Sequence, residues 1–292
     1  MSKRKLGDRR DAKRVRNLHG LAQLSIDLKP NRSVSDVYIN RKIDVTELVK
    51  YIEKRKENGE HITYFHAFVA AIGRLLYNRP YMNRFVANRH LYEHNDVKIS
   101  FVAKIAFDDK AREVMVITKI DPEDNINTVS EKIGKEIEKI RSKEGRKDKG
   151  ANNATEVLGK LPNILRVPVV GAIKFMDKKG ILPASLANDN LYYSSIIVSN
   201  LGSIKCGAIF HNINDFGSCS SLATFGEIHD EEVIIDGKKQ VRKLCEFGIN
   251  IDERIGDGYY FAKSLKILED LLAHPEMLEQ GAGEKIPDKE LR

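Results

Sequence analysis

A mixed α/β sandwich in one domain is the fold class this sequence predicts, on three observations. Alternating runs such as Phe247, Ile249 and Ile251, set against Gly248, Asn250 and Asp252, have the two-residue period of strands. Other runs, such as Phe261, Leu265, Leu268 and Leu272, have helical spacing. The two kinds interleave with no internal repeat or low-complexity tract, and 292 residues suffice for a large core.

Hydrophobic content of 41% and charged content of 31% are those of a soluble globular protein. No apolar run approaches the ~18–20 residues of a membrane span. The charged N-terminus lacks the apolar core of a signal peptide. Cys206, Cys219 and Cys245 form no CxxC pair, so a cytoplasmic, reducing location is expected. The net charge of +7 is concentrated at one end. Residues 1–16 hold eight of the 49 basic residues and two of the 42 acidic ones, leaving 41 against 40 in the rest. These residues are expected to form a basic flexible arm, with contact to nucleic acid or an anionic membrane as the alternative. No recognition-helix or zinc-finger pattern accompanies it.

In chain order, residues 34–43 alternate as a strand, and Asp44-Val45-Thr46-Glu47 has the form of a capping box. Val45, Leu48, Val49 and Ile52 give the next helix its buried face, and Gly59 ends it. A second helix begins near Thr63 and stops before Pro80, with His66 expected as a satisfied core histidine. Two strands, 98–107 and 113–118, are joined by Asp108-Asp109-Lys110-Ala111. That turn superficially resembles a lipoyl-lysine hairpin, but a lipoyl module is all-β and this hairpin is flanked by helices, so no lipoyl group is expected. Thr128 and Glu131 form another capping-box pattern, and residues 141–150 a charged linker. Residues 151–190 predict two helices meeting at Pro162 and Pro168 and closed by Gly180 and Pro183: either extra core, or a lid or greasy contact surface. Residues 192–199 are strand-like and lead into Asn200-Leu201-Gly202, and Asp236-Gly237 marks a hairpin tip.

Ile251-Asp252-Glu253-Arg254-Ile255-Gly256-Asp257-Gly258 connects the last strand to the last helix. It places two carboxylates, Glu253 and Asp257, where a strand ends. Such loops carry chemistry, and an acidic turn also complements a helix dipole. A rival cluster, His211 to Gly217, contains Asp215-Phe216-Gly217, but the chain has no Gly-rich phosphate loop or His-Arg-Asp loop to make it a kinase site. The histidines, including His90 and His94, declare no third metal ligand, and no metal is expected.

Val198-Ser199-Asn200-Leu201-Gly202 and, 54 residues after Ser199, Asp252-Glu253-Arg254-Ile255-Gly256-Asp257-Gly258 resemble the signature pair of the dihydrolipoamide acyltransferase catalytic domain of 2-oxo acid dehydrogenase complexes, related to chloramphenicol acetyltransferase. The likeness covers roughly residues 30–140 and 190–280, including Asn78-Arg79-Pro80 and Leu271-Leu272-Ala273-His274-Pro275. It implies a two-layer sandwich with a mixed sheet, the coenzyme-A-dependent acyltransferase fold. The implied layout is a single domain over 17–280 with an insertion at 141–190, then a tail over 281–292. The second family motif is His-x-x-x-Asp-Gly, with the histidine as general base toward a thiol. Here Glu253 occupies the base position, Ser199 that of the oxyanion donor and Asp257 that of the orienting carboxylate, with Arg14 or Arg16 as its suggested partner. Asn200, Gly202 and Gly258 fall in the substrate-binding parts of the motifs. The resemblance further implies coenzyme A or acyl-CoA as substrate, a thiol or other small acceptor, and a homotrimer in which Ser199 of one subunit faces Glu253 of another. Glutamate for histidine widens the mismatch with a thiol by about 2 pKa units, or ~3 kcal/mol. The alternative is therefore a catalytically inactive trimeric relative that binds acyl-CoA or acts as a scaffold.

Overall fold

The computed structural model describes residues 8–9, 11–104, 113–141, 150–188 and 190–287. Along them run β1 (Ala12–Arg14), α1 (Gly20–Leu28), β2 (Asp36–Asp44), α2 (Thr46–Glu57), α3 (Tyr64–Asn78), β3 (Arg84–Ala87), β4 (His90–His94), β5 (Val97–Lys104) and β6 (Glu113–Ile120). There follow α4 (Ile126–Arg141), α5 (Gly150–Lys160), α6 (Asn163–Lys179), α7 (Ala184–Ala187), β7 (Ile196–Asn200), β8 (Ser221–Ile235), β9 (Lys238–Asp252) and α8 (Gly258–Ala273). The turn containing Lys110 and most of the 141–150 linker lie outside the described residues.

Six strands form one mixed sheet in the order β2-β9-β8-β7-β5-β6. β7 is parallel to both its neighbours and the other pairs are antiparallel. Helices α2, α3, α4 and α8 form a single layer on one face. The alternation explains which face: Phe225 and Phe247 point inward and meet Phe68 of α3 at ring-centroid distances of 4.8 and 5.2 Å. Burying such side chains, at about 1.5–3 kcal/mol each, is what holds helices to sheet. The β8–β9 hairpin turns at Asp236 (φ 50°) and Gly237 (φ 74°), as the Asp-Gly pair predicts for a type I′ turn.

Among the described residues no helix packs over β8 and β9 on the opposite face. The segment after β7 crosses it as extended chain, held by polar residues of the outward-pointing set. Ile209 bonds Thr224 Oγ1 through both its N–H and its carbonyl, the His211 N–H donates to Asn250 Oδ1, and the Ile213 N–H donates to Asp36 Oδ2. Gly248 permits this crossing: a Cβ there would stand 2.4 Å from the Ile209 carbonyl oxygen.

Several local expectations are corrected. Thr63 does cap α3, reciprocally with His66, whose Nδ1 also accepts from Ser130 Oγ at 2.8 Å; this histidine is half-buried rather than in the core. The box expected at Thr128 and Glu131 is instead Asn125 with Thr128, one turn earlier. At α2 the Asp44 carboxylate accepts from the Thr46 N–H without a return bond from Glu47. The expected tail is tied down over 281–287: Ala282 donates to the Asp124 carbonyl and Ile286 to Asn78 Oδ1.

The expected flexible arm is ordered where described. Ala12–Arg14 pairs with β4, making a second sheet, β1-β4-β3, that the sequence patterns did not reveal. Arg9 is buried, bonded to Asp11 and to the Asp177 carbonyl. Within this sheet His94 donates from Nε2 to the Ser218 carbonyl (3.1 Å) and lies against Phe85. Burial drives its pKa down to about 4. An imidazole that titrates lower when folded binds fewer protons than the unfolded chain, so stability is retained above about pH 6.5 and lost as pH falls toward 4. Urea unfolding at pH 7 and pH 5 is expected to show a loss of up to about 2 kcal/mol from this group, discounted because the ring is not fully enclosed. His94→Gln should flatten that dependence, and an unchanged slope would remove His94 as its source.

Of the two insertion helices, α6 begins after Pro162 and continues through Pro168, so only the first proline forms the joint. Gly180 (φ 67°) ends it and Pro183 opens α7. This segment is not extra core, since Ile164, Val167 and Phe175 are exposed.

Candidate functional site

Glu253 opens a 3₁₀ turn, Glu253–Ile255, immediately after β9. Its N–H donates to the Ser35 carbonyl at 3.0 Å. The two flanking residues form the anchor of this turn. Asp252 and Arg254 are 0% and 2% exposed and make a two-pronged pair, Nε to Oδ1 at 2.8 Å and Nη2 to Oδ2 at 2.6 Å. Asp252 Oδ1 also accepts the Arg254 N–H. Arg254 Nη1 then donates to the Lys29 carbonyl at 2.7 Å, and the Lys29 ammonium contacts Glu253 Oε1. A buried pair therefore fixes the residue whose side chain meets the candidate base. Glu253 is 37% exposed, and among the described residues its Oε2 accepts no hydrogen bond.

Asp257 stands four residues on, exposed, with Oδ1 accepting the Tyr260 N–H at 2.7 Å as N-cap of α8. Neither arginine suggested as its partner reaches it. Arg14 bonds His90 Nδ1, and Arg16 bonds Asp8 at 2.6 Å. Gly258 starts α8 in open surroundings.

Ser199 lies near the end of β7. Val198 faces the helix layer and is fully buried, so alternation turns Ser199 to the other face, in register with Thr224. Its hydroxyl is half-buried and bonds no described residue. Asn200 and Leu201 lead into a 3₁₀ turn packed on β8 where that strand bulges between Phe225 and Ile228. Gly202 allows the approach, because a Cβ there would stand 2.6 Å from the Gly226 carbonyl oxygen.

The sheet register separates the two motifs. Ser199 is level with Thr224 and hence with Gly248, two strand spacings away, and Glu253 is five residues beyond Gly248. At ~4.8 Å between strands and ~3.3 Å per residue, Ser199 and Glu253 of one chain are on the order of 20 Å apart. Beside Arg254 is a cavity of about 200 Å³ lined by Arg32, Lys174, Asp177, Lys178 and Asp215 among others. A larger, open depression of about 910 Å³ lies elsewhere, between the starts of α3 and α4. Cys245 and Cys219 are buried, and burial pushes the Cys245 thiol up to about 12. Among the described residues no three His, Cys, Asp or Glu side chains gather as a metal site. Lys29, Arg32 and Arg254 were not legible as site residues, since their partners lie far away in sequence or announce themselves only through burial.

The coordinates superpose on known acyltransferases. A probable dihydrolipoamide acetyltransferase of Listeria monocytogenes is matched over 96% of this chain and 99% of that one, at 20% identity and a TM-score of 0.56. A dihydrolipoamide acetyltransferase of Azotobacter vinelandii is matched over 90% and 93%, at 18% identity and a TM-score of 0.58. The study of that protein concerns the catalytic roles of a serine, a histidine and an asparagine. Its serine precedes the histidine by 52 residues, and the histidine and asparagine are four apart. A chloramphenicol acetyltransferase is matched over 89% and 99%, at 11% identity and a TM-score of 0.50. The architecture is thus the coenzyme A acyltransferase fold. No relative matches among curated proteins. Residues 28–151 and 178–279, which contain both motifs and leave out most of α6, match the model of the 2-oxoacid dehydrogenases acyltransferase catalytic domain. The chain therefore belongs to the 2-oxoacid dehydrogenase acyltransferase catalytic-domain family.

Proposed function

We propose that this protein moves an acyl group between coenzyme A and a thiol or another small acceptor, with Glu253 as general base and Ser199 as oxyanion donor. The observation supporting this is that both side chains stand at strand ends inside the matched family segments, each with hydrogen-bonding capacity that no described residue uses. The acceptor thiol gives its proton to Glu253 and its sulfur attacks the acyl-CoA thioester carbonyl. The Ser199 hydroxyl donates to the resulting oxyanion. Collapse expels the thiolate of coenzyme A, which recovers the proton from Glu253. Asp257 fixes the start of α8, and Asn200, Gly202 and Gly258 border the reacting groups. Because the two motifs are on the order of 20 Å apart in one chain, we place the site between subunits of a homotrimer.

Acyl exchange from a panel of acyl-CoA donors tests this. Glu253→Gln is expected to lose at least ~10²-fold in turnover, the usual effect of removing a general base, and Ser199→Ala a similar amount, the usual effect of removing one oxyanion donor. Equal rates in wild type and both variants would overturn the mechanism. A second reading, a catalytically inactive trimer that binds acyl-CoA, is favoured by one observation: Lys29 occupies one Glu253 oxygen and the carboxylate is partly in water. Tight acyl-CoA binding with no wild-type turnover would select it.

A further inference from the structure

The cavity of about 200 Å³ beside Arg254 carries more positive charge than the described residues around it neutralise. One of its lining cations, Arg32, is 3% exposed. The guanidinium donates to the carbonyls of Asn214 (3.0 Å), Gly217 (2.7 Å) and Val86 (3.3 Å), and its Nε, though buried, bonds no described residue. No described carboxylate meets the guanidinium, and the main charge opposing its burial, Asp252, is engaged at both oxygens by Arg254. A buried charge is ordinarily paired, because desolvation costs several kcal/mol per ion. Lys174 and Lys178, four residues apart on one face of α6, also line the cavity, and neither makes an ion pair with a described carboxylate. Of the two carboxylates in the wall, Asp177 accepts from Arg9, from the Tyr193 hydroxyl and from the Gly217 N–H, while Asp215 accepts the Arg32 backbone N–H at 2.6 Å. With Asp177 assigned to Arg9 and Asp252 to Arg254, the cations Arg32, Lys174 and Lys178 face Asp215 alone among the lining residues.

This cavity adjoins the candidate base. Arg254 follows Glu253 in the chain, and Pro30 and Asn31, which also line the cavity, follow Lys29, whose ammonium contacts Glu253. Arg254 Nη1 bonds the Lys29 carbonyl and so ties the two walls together. We propose, resting on the acyl-transfer reading, that the acceptor is a small anionic thiol whose carboxylate or phosphate is held in this cavity by Lys174 and Lys178, over the buried charge of Arg32. The acceptor is the molecule that gives its proton to Glu253, so the part of it beyond the sulfur is the part placed beside Arg254. Ammonium-to-anion hydrogen bonds are the strong, charge-assisted kind, and a recessed cation is screened less than one at the surface. A cationic acceptor would meet the same surplus as repulsion, and a neutral one would leave Arg32 uncompensated. The phosphates of coenzyme A do not suit this place, since they lie at the far end of the pantetheine arm from the thiol, whereas the cavity begins one residue from Glu253. The transfer itself is unchanged: a C–S bond forms on the acceptor sulfur, the C–S bond of acyl-CoA breaks, and the proton passes through Glu253 to the departing thiolate. Lys174 lies outside the two matched family segments, so this selectivity is a property of the insertion and not of the family motifs.

Two measurements on the full chain test the proposal. Isothermal titration with 3-mercaptopropionate and with 2-mercaptoethyl phosphate, against the neutral 3-mercaptopropionamide, reads binding without turnover. At least one anionic thiol is expected to bind ~10-fold or more tightly than the amide, with the preference shrinking at ~0.5 M NaCl, and the stronger of the two assigns the group as carboxylate or phosphate. Acyl exchange from one acyl-CoA to the same thiols reads selectivity. Lys174→Ala/Lys178→Ala is expected to lower the ratio of kcat/KM for the anionic thiol to that for the amide by at least ~10-fold, while the melting temperature holds because both side chains are exposed. Equal binding of all three thiols, or an exchange ratio that the double variant leaves unchanged, would overturn the proposal and leave the acyl-transfer reading standing. Charge-selective binding that the double variant abolishes, with no exchange in any protein, would instead overturn the acyl-transfer reading and keep the anion site.

Discussion

Glu253→His is expected to raise acyl exchange roughly 10- to 100-fold at neutral pH. A free histidine side chain titrates near 6.5 and a glutamate near 4.3, against about 8.5 for a thiol, so histidine narrows the proton-transfer mismatch by about 2 units, or ~3 kcal/mol. Full expression of that difference gives ~100-fold, and a transition state with the proton half transferred gives ~10-fold. Imidazole also does not hold the Lys29 ammonium as an ion-pair partner, which releases the face now engaged with Lys29. Initial rates with one acyl-CoA and a small thiol, over a pH series, measure this. Activity appearing only in Glu253→His would identify the wild type as a binding protein that retains the frame of the site. A rate in that variant equal to that of wild type would show that residue 253 is not the base position.

The sequence made the sheet and its helix layer legible wherever burial imposes a period. The β8–β9 hairpin, the α3 cap at Thr63 and the start of α8 after Asp257 all follow from local chemistry. The small sheet did not announce itself, because Ala12–Arg14 is three residues of mixed polarity that become a strand only through pairing with His90–His94. The same holds for the arm: Arg9 is charged in sequence and buried in structure because Asp177, 168 residues away, receives it. At the site, Ser199, Glu253 and Asp257 were visible as motif positions, while the Lys29 contact was not. Asp257 also shows how a motif position changes meaning, since here its carboxylate caps a helix and meets neither Arg14 nor Arg16.

Asp252→Ala is expected to destabilise the fold by about 3–5 kcal/mol, the usual cost of leaving one member of a buried ion pair without its partner. Arg254 is 2% exposed, and without Asp252 its guanidinium keeps, among the described residues, only the Lys29 carbonyl. A second buried cation suffers with it: burial lowers the pKa of Arg32, and the Asp252 carboxylate is the main charge opposing that effect. Loss of Asp252 thus leaves two guanidinium groups in the interior with one fewer anion between them. For a chain of this size the melting temperature should fall by roughly 5–10 °C. The double change Asp252→Leu/Arg254→Met removes both charges and should cost clearly less, because the penalty comes from the unpaired charge more than from the missing attraction. A single variant within about 1 kcal/mol of wild type would mean that Arg254 finds another partner. Arg254 also holds the Lys29 backbone, so the same variant should loosen Glu253 from Lys29 and change the pH profile of any acyl exchange along with the stability.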